Sequence, residues 1–268
     1  MRGDAMEADV NIAGRQFTLT SDDAYLGALG ATFEPEMVRL FECFAKGTVL
    51  DIGANIGCTA LAFSGMADIV HAFEPSPSTF ELLATNTSVV GNVQRHNYGL
   101  GDAAGAFELT FAPTNRSGGF VSNQTQASAG HTVEKIEIRT LDDVAPSLVG
   151  SNIDFIKIDV EGFEGSVIRG GERTLAAARP VVALELNHWC LNAFQRTSVP
   201  DFFDYLRAVF PTLYAVEGST YLNLHDPNES YAVMYQHILH MRYVTLVGSF
   251  DTAALAAFHA RYEHRLAA

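Results

Sequence analysis

Four short apolar runs, at 49–52, Ile69–Phe73, 155–158 and 181–186, constrain this chain more than any other feature. They are near-continuous rather than alternating, as strands covered on both faces must be, and that double cover is the mark of a parallel sheet. Between the first two lies Cys58–Phe63, helix-like and bounded by Gly57 and Gly65. After the second, Ser76-Pro77 offers an N-cap with proline at the first helical position, followed by Phe80, Leu82 and Leu83. Val167, Ile168 and Leu175 predict another helix before Pro180 opens the fourth run. Strand–helix–strand repetition gives right-handed crossovers, and hence an open α/β sheet with helices on both faces.

The flanks are less regular. Residues 1–47 read as a lead-in or cap segment ahead of a main domain over 48–268. Within it, 10–19 reads as a strand pair, and Met37, Leu40, Phe41 and Phe44 recur at helical spacing. That stripe is expected to be core packing rather than a ligand-binding face. An insertion over 107–140 interrupts the α/β pattern: 107–111 and 135–139 predict antiparallel strands. The twenty residues 113–132 between them, rich in Gly, Ser, Asn, Thr and Gln, read as a lid, a binding loop or a disordered connector. Beyond Asp201, an amphipathic helix carrying Phe202, Phe203, Tyr205, Leu206 and Val209 is followed by strands at 212–216 and 243–247. This matches the tail of a seven-stranded sheet closed by an antiparallel pair, with 221–224 competing for a strand position.

At 268 residues and 48% hydrophobic, the chain can bury a substantial core, and 18% charged residues argues against global disorder. A formal net charge of −14 repels phosphate backbones and anionic head groups, so nucleic acid and membranes are not expected partners. The oligomeric state is not written in the chain. Cys43, Cys58 and Cys190 are odd in number and widely spaced, which fits neither a disulfide framework nor a zinc site. With no basic start, apolar leader or run of 18 apolar residues, a soluble, cytoplasmic protein is expected.

The chemistry concentrates at strand ends. In Val49-Leu-Asp51-Ile-Gly53-Ala-Asn55-Ile-Gly57 a strand enters a turn and a helix follows. Gly53 can take a conformation closed to other residues, Gly57 allows close packing, and Asn55 tolerates positive φ better than most side chains. Such a turn presents backbone N–H groups to a polar ligand. A dinucleotide would place its phosphates near Asp51, whereas the cationic amino-acid end of S-adenosylmethionine would find a partner there. Glu74 lies seventeen residues past Gly57, where a ribose-binding acid is expected after the second strand. Asp102, after a third strand, reads either as an acceptor for an adenine amino group or as a turn residue.

The strand 154–162 is unusual. Alternation puts Lys157, Asp159 and Glu161 on one face, and a buried Lys157 needs a partner that Asp159 can supply. Asp159 and Glu161 fall beyond the strand's carboxyl end, where ligands of open α/β sheets bind. Lys157 reads equally as a structural ion pair or a catalytic group. Glu185, Asn187 and His188 end the next strand beside this site, and His188 is a candidate general base. Trp189 reads as a sugar-stacking or a packing residue. Asp159, Glu185 and Asn187 offer oxygen ligands for a divalent cation.

Together these segments resemble the FkbM-type family of class I methyltransferases. The resemblance rests on 49–57, on Ala72-Phe-Glu-Pro-Ser-Pro77 with Asn86, on Thr140-Leu-Asp-Asp143, and on 154–164 with Gly170, over about residues 48–188. It implies a Rossmann-like class I fold with a seven-stranded, mostly parallel sheet plus the inserted hairpin. It also implies S-adenosylmethionine bound by Asp51, Gly53, Asn55, Gly57, Glu74, Pro75 and Asp102. The implied reaction is methyl transfer to a hydroxyl of a sugar, glycan or secondary metabolite. Asp159 is then the first candidate base, with Glu161 or His188 as alternatives. Two other readings stand beside it: a non-catalytic nucleoside-binding module, and an NAD-dependent dehydrogenase, which Asp51 and Asn55 disfavour.

Overall fold

The strands follow the apolar runs because a residue buried on either sheet face leaves no exposed side of the strand to solvate. The computed structural model describes residues 5–122, 130–150 and 152–267. In chain order its strands are β1 (Met6–Ile12), β2 (Arg15–Ser21), β3 (Thr48–Ile52), β4 (Ile69–Phe73), β5 (Val93–His96), β6 (Gly99–Leu100), β7 (Gly105–Ala112) and β8 (Asn115–Val121). They continue with β9 (Thr132–Arg139), β10 (Ile153–Ile158), β11 (Val181–Glu185), β12 (Thr212–Glu217), β13 (Thr220–Asn223), β14 (Thr245–Ser249) and β15 (Glu263–His264).

The central sheet runs β15-β13-β12-β14-β11-β10-β3-β4-β5. From β11 to β5 every pairing is parallel, while β14 runs antiparallel to both β11 and β12. Seven of these strands match the expected sheet, but the described sheet has nine. The extra pair is β13, which holds the competing 221–224 segment through a hairpin turning at Gly218 (φ 58°), and the two-residue β15. Strand order reverses between β3 and β10, so their carboxyl ends diverge and open a crevice.

The sheet is covered on both faces. Leu50, Ile52, Ile156, Ile158, Val182 and Leu184 pack on one side beneath helices Glu164–Arg169 and Val199–Val209. The alternate residues Val49, Phe155, Val181 and Ala183 pack on the other against Phe41, Phe44 and Phe63. Leu40, Phe41 and Phe44 of the N-terminal stripe are thus core residues, as their spacing predicts. The β1–β2 hairpin turns at Ala13-Gly14, both at positive φ, and buries Val10, Ile12 and Leu19 against Ile56, Leu61 and Ala62. Asn86 ties it down: its amide oxygen accepts from Thr20 N–H at 2.8 Å, and its amide nitrogen donates to Thr20 O at 3.0 Å and Ile56 O at 2.9 Å.

The insertion is a second sheet, β6-β9-β7-β8. The predicted antiparallel pair is β7 and β9. The 113–132 stretch, read as one long loop, instead contains β8, which folds back on β7. Asn-Arg-Ser-Gly-Gly-Phe-Val lacks apolar alternation because an edge strand with a solvated side needs little of it. Residues 123–129 lie outside the described residues. Arg116 of β8 forks onto Asp22 (Nε–Oδ1 2.6 Å, Nη2–Oδ2 2.7 Å) and donates to Ser78 Oγ at 2.6 Å, while its N–H reaches Asp23 at 2.8 Å. The hairpin is thereby fastened to the N-terminal segment. No helix among the described residues is long and apolar enough to cross a membrane.

Tight helix packing makes one glycine decisive. A Cβ on Gly170 would sit 1.8 Å from Gly101 O. Gly170→Ala should therefore destabilise the fold by about 2 kcal/mol or more, as overpacking of a rigid contact does, measurable as a lowered urea midpoint with unchanged slope.

Candidate active site

Beyond β3 the chain turns at Gly53 (φ 82°), Asn55 (φ 49°) and Gly57 (φ 103°) before the helix Cys58–Phe63. Asn55 adopts the positive φ anticipated for it. Gly53 has no alternative: a Cβ would lie 1.9 Å from Asp159 O, because the turns after β3 and β10 touch. Gly57 packs against Leu83 and Thr87 and serves the helix start rather than the cavity wall.

Glu74 closes the turn from the β4 side. Its Oε2 accepts from Asn55 N–H at 3.0 Å and its Oε1 from Ser76 N–H at 2.9 Å. Both oxygens keep a free lone pair, and Glu74 lines a cavity of about 270 Å3 along with Gly53, Asn55, Pro75, Asp159 and Glu161. Burial pushes its carboxyl up to about 7, against the opposing pull of the two N–H donors. A ligand with two neighbouring hydroxyls would satisfy both remaining acceptor positions.

Asp51 does something else. It is fully buried and absent from the cavity lining. Thr59 Oγ1 donates to its Oδ2 at 2.6 Å, and Lys157 Nζ lies 3.4 Å from its Oδ1. The reading of Asp51 as a partner for the cofactor's cationic end is therefore corrected: register pairs Lys157 directly with Asp51, and the buried ammonium takes the carboxylate. Lys157 Nζ also donates to Gly53 O at 2.8 Å and stands 3.5 Å from Asp159 Oδ2. Burial pulls its pKa down, but Asp159 and Asp51 outweigh this and hold it above the ordinary value. Lys157 thus welds the two strand-end turns and leaves Asp159, half-exposed, facing the cavity.

Glu161 sits in the left-handed region (φ 53°) just before Gly162 (φ 93°), strain of the kind that persists where surroundings impose it. The imposing residue is Glu164, whose Oε1 accepts from Val160 N–H at 3.1 Å and Gly162 N–H at 3.2 Å. Glu161 Oε2 accepts from Cys190 Sγ–H at 3.1 Å and Asn187 Nδ2 at 3.5 Å. Burial pushes both glutamates up to about 7. Glu185 lines the same crevice with Oε2 buried and without a hydrogen-bond partner. Burial, then Asp159, Glu164 and Glu161, push its pKa well above the ordinary carboxylate range.

Two expected residues lie elsewhere. Asp102 pairs with Arg169 at 3.1 Å outside the cavity lining, and Gly99, Leu100 and Ile138 form that wall instead. The His188 ring meets that of His237 edge-on at 5.1 Å, the His188 backbone N–H donates to His237 Nε2 at 3.2 Å, and His188 lines neither cavity at the strand ends. Trp189 packs edge-on against Phe194 and is otherwise exposed. Asn187 caps its helix, Oδ1 accepting from Cys190 N–H at 3.2 Å, so that oxygen is not offered to a cation between Asp159 and Glu185. No three His, Cys, Asp or Glu side chains converge as a metal cluster among the described residues.

Sequence reasoning missed the contributors from far away. Tyr25, Phe33, Glu34 and Met37 of the N-terminal segment and Arg116, Ser117 and Gly119 of β8 complete the cavity. A second cavity, of about 490 Å3, adjoins it and shares Glu34, Met37, Lys157, Asp159 and Glu185. Asp159 and Glu185 therefore stand at the junction of two chambers.

The methyltransferase FkbM domain matches residues 51–214. The chain belongs to the FkbM methyltransferase family. It is 28% identical over 180 residues to the hexuronic acid methyltransferase AglP of Haloferax volcanii, covering 66% of this chain and 72% of that one. It is also 28% identical over 147 residues to the 2-O-methyltransferase NoeI of Sinorhizobium fredii, covering 49% of this chain and 60% of that one. A crystal structure of methyltransferase FkbM from Methylobacillus flagellatus aligns with TM-score 0.42 at 19% identity, over 62% of this chain and 38% of that one. The chain is an α/β methyltransferase. The family match begins at Asp51, so the N-terminal residues at the cavity come from outside it.

The raised acids set an unusual pH dependence. Glu74, Glu161 and Glu164 titrate near 7 when folded but near their ordinary 4.5 when unfolded, so between those values the folded state holds the extra protons. Stability of the ligand-free protein should fall as pH rises from about 5 to 8, seen as a declining melting temperature; a rising one would contradict the burial of these groups.

Proposed function

We propose that this chain transfers a methyl group from S-adenosylmethionine to a hydroxyl oxygen of a sugar or related polyol. The observation that carries the reading is Glu74, a buried carboxylate fixed by two backbone N–H groups with both oxygens still able to accept, beside a glycine turn at the sheet's switch point. Names of relatives point the same way, one being a hexuronic acid methyltransferase and another a 2-O-methyltransferase.

The residues present fit such a cofactor. Glu74 would accept from the two ribose hydroxyls, and Pro75, Leu100 and Ile138 offer an apolar slot for the base. Gly53, Ala54 and Asn55 leave room for close backbone approach. When bound, S-adenosylmethionine would supply a sulfonium-activated methyl, its sulfur being released as a neutral thioether. The protein's tasks are then to hold the acceptor oxygen in line and to take its proton.

Asp159 is the residue we place at that proton. It lines both cavities, and Lys157 fixes its carboxylate while leaving the remaining lone pairs toward the junction. Glu161 lines only the cofactor chamber, and His188 lines neither. Glu185, whose pKa burial and neighbouring carboxylates raise, stands at the junction and when protonated can donate to the acceptor. An acceptor chamber between helix Pro35–Phe41 and the ends of β10, β11 and β12 follows from the shared lining.

Two measurements test this. Asp159→Asn should keep cofactor affinity by calorimetry while turnover falls about 10²- to 10⁴-fold, the usual worth of a positioned base; an unchanged rate sinks the assignment. Glu74→Gln should weaken S-adenosylmethionine binding about tenfold or more, since hydrogen bonds to a charged acceptor are worth ~1.5–3 kcal/mol. Thermal stabilisation by NAD but not by S-adenosylmethionine would favour the dehydrogenase reading instead.

A further inference from the structure

The helix Pro227–His240 is apolar on two sides. Inward, Val233 joins the core cluster that holds Leu213, Leu222 and Leu224. His237 is pinned on that side, its Nδ1–H donating to Arg242 O at 2.7 Å and its Nε2 accepting from the His188 backbone N–H at 3.2 Å. Outward, Tyr231, Tyr235, Ile238 and Leu239 fall at i, i+4, i+7 and i+8, one stripe along the helix, and stand between 44% and 64% exposed. Met241, just past the last turn, is exposed as well. Large apolar side chains exposed among the described residues number twelve, and these five fall within one short segment. None of the five lines either chamber of the active site, so that site does not account for their exposure. A surface helix ordinarily turns charged residues to water, and one that is apolar on both sides is ordinarily covered on both.

The stripe is also free of charge. Charged residues make up 18% of the chain, yet 230–241 holds no Asp, Glu, Lys or Arg. The charges that bracket it are engaged within the chain: Glu229 pairs with His264 at 2.9 Å and Arg242 with Glu217 at 3.2 Å. At a net charge of −14, two copies of this chain repel one another over most of their surface, and an anionic membrane or a nucleic acid is repelled likewise. An uncharged apolar stripe is the face on which two like-charged bodies can still meet. Its size suits that contact: about half the surface of five large side chains is on the order of 500 Å2, so two copies would bury about 1,000 Å2 together, the size at which a specific interface begins.

We propose that this chain forms a two-fold homodimer through the helix Pro227–His240, the two helices packed antiparallel with Tyr235 nearest the axis. Tyr235 lies midway between Tyr231 and Leu239, so an antiparallel partner sets Tyr231 of one copy beside Leu239 of the other and repeats that contact across the axis. The stripe is thereby its own complement. The modest area makes this a monomer–dimer equilibrium with a Kd on the order of 1–100 µM rather than an obligate assembly. The contact is independent of the reaction assigned above, since no side chain of the stripe lines either chamber.

The test is sedimentation equilibrium on the full chain, from well below to well above that Kd. The mean mass should climb from that of the monomer toward twice that value, and the climb should persist or steepen at high salt, which screens the repulsion and spares the apolar contact. Tyr235→Glu with Leu239→Glu, both on the exposed side of the helix, should weaken association about a hundredfold or more, because each contact then buries unpaired carboxylates. The melting temperature in dilute solution should not change. Should the double variant misfold, single cysteines read the geometry instead. Tyr235→Cys should cross-link two copies under copper–phenanthroline oxidation, with the unsubstituted chain as control. Tyr231→Cys should not, since its two copies lie about 12 Å apart along the helix axes, beyond the reach of a disulfide. A mass that stays monomeric throughout, association that survives the glutamates, or cross-linking at 231 but not at 235 would each overturn the inference. A monomer that co-sediments with phosphatidylcholine vesicles would name a membrane as the occupant and overturn it too.

Discussion

The buried ammonium of Lys157 is the interaction on which the rest of this site depends. It stands between Asp51 and Asp159 and donates to Gly53 O, so one group joins the carboxyl ends of β3 and β10. Removing one member of such a buried set costs ~3–5 kcal/mol, because the survivors keep their desolvation penalty without their partner. The same contact keeps the turn at Gly53 against Asp159 O, closer than any side chain would permit. Stability and site geometry are therefore one arrangement.

Around that weld, the site is assembled from acids held at raised pKa by burial. Glu164 uses its carboxylate to hold the strained turn that aims Glu161, and Glu74 uses its own to hold the turn at Asn55. In both cases backbone N–H groups offset only part of the desolvation, which is why these groups titrate near 7. The chain accepts that cost at a crevice where strand order reverses and where no continuous sheet could have provided N–H groups pointing into open space.

The chamber walls come from further away. Arg116 binds the β7–β8 hairpin to Asp22 and Ser78, bringing the insertion and the N-terminal segment together over the first cavity. Tyr25, Glu34 and Met37 reach the cavity only because the β1–β2 hairpin and the helix Pro35–Phe41 pack on the outside of the sheet. The floor of the crevice is thus local to the strand ends, whereas its outer walls belong to flanking elements.

That division explains what could be read in the chain alone. Apolar runs and glycine spacing determined the α/β sheet and its switch-point crevice, and the strand-end acids Glu74, Asp159 and Glu161 line the cavity there, since each depends on neighbours within a few positions. Asp51 could not be placed from sequence: whether a strand-end carboxylate faces a ligand or a buried lysine depends on the register of two strands about a hundred residues apart. His188 and Asp102 failed for a similar reason, because His237 and Arg169 engage side chains whose linear positions were suitable. β8 was illegible because an edge strand needs little apolar alternation. Glu34 had no signal, being a common residue ahead of a proline. Only tertiary packing decided that its carboxyl stands between two chambers, because no local rule brings residue 34 to the ends of strands that begin at residues 48 and 153.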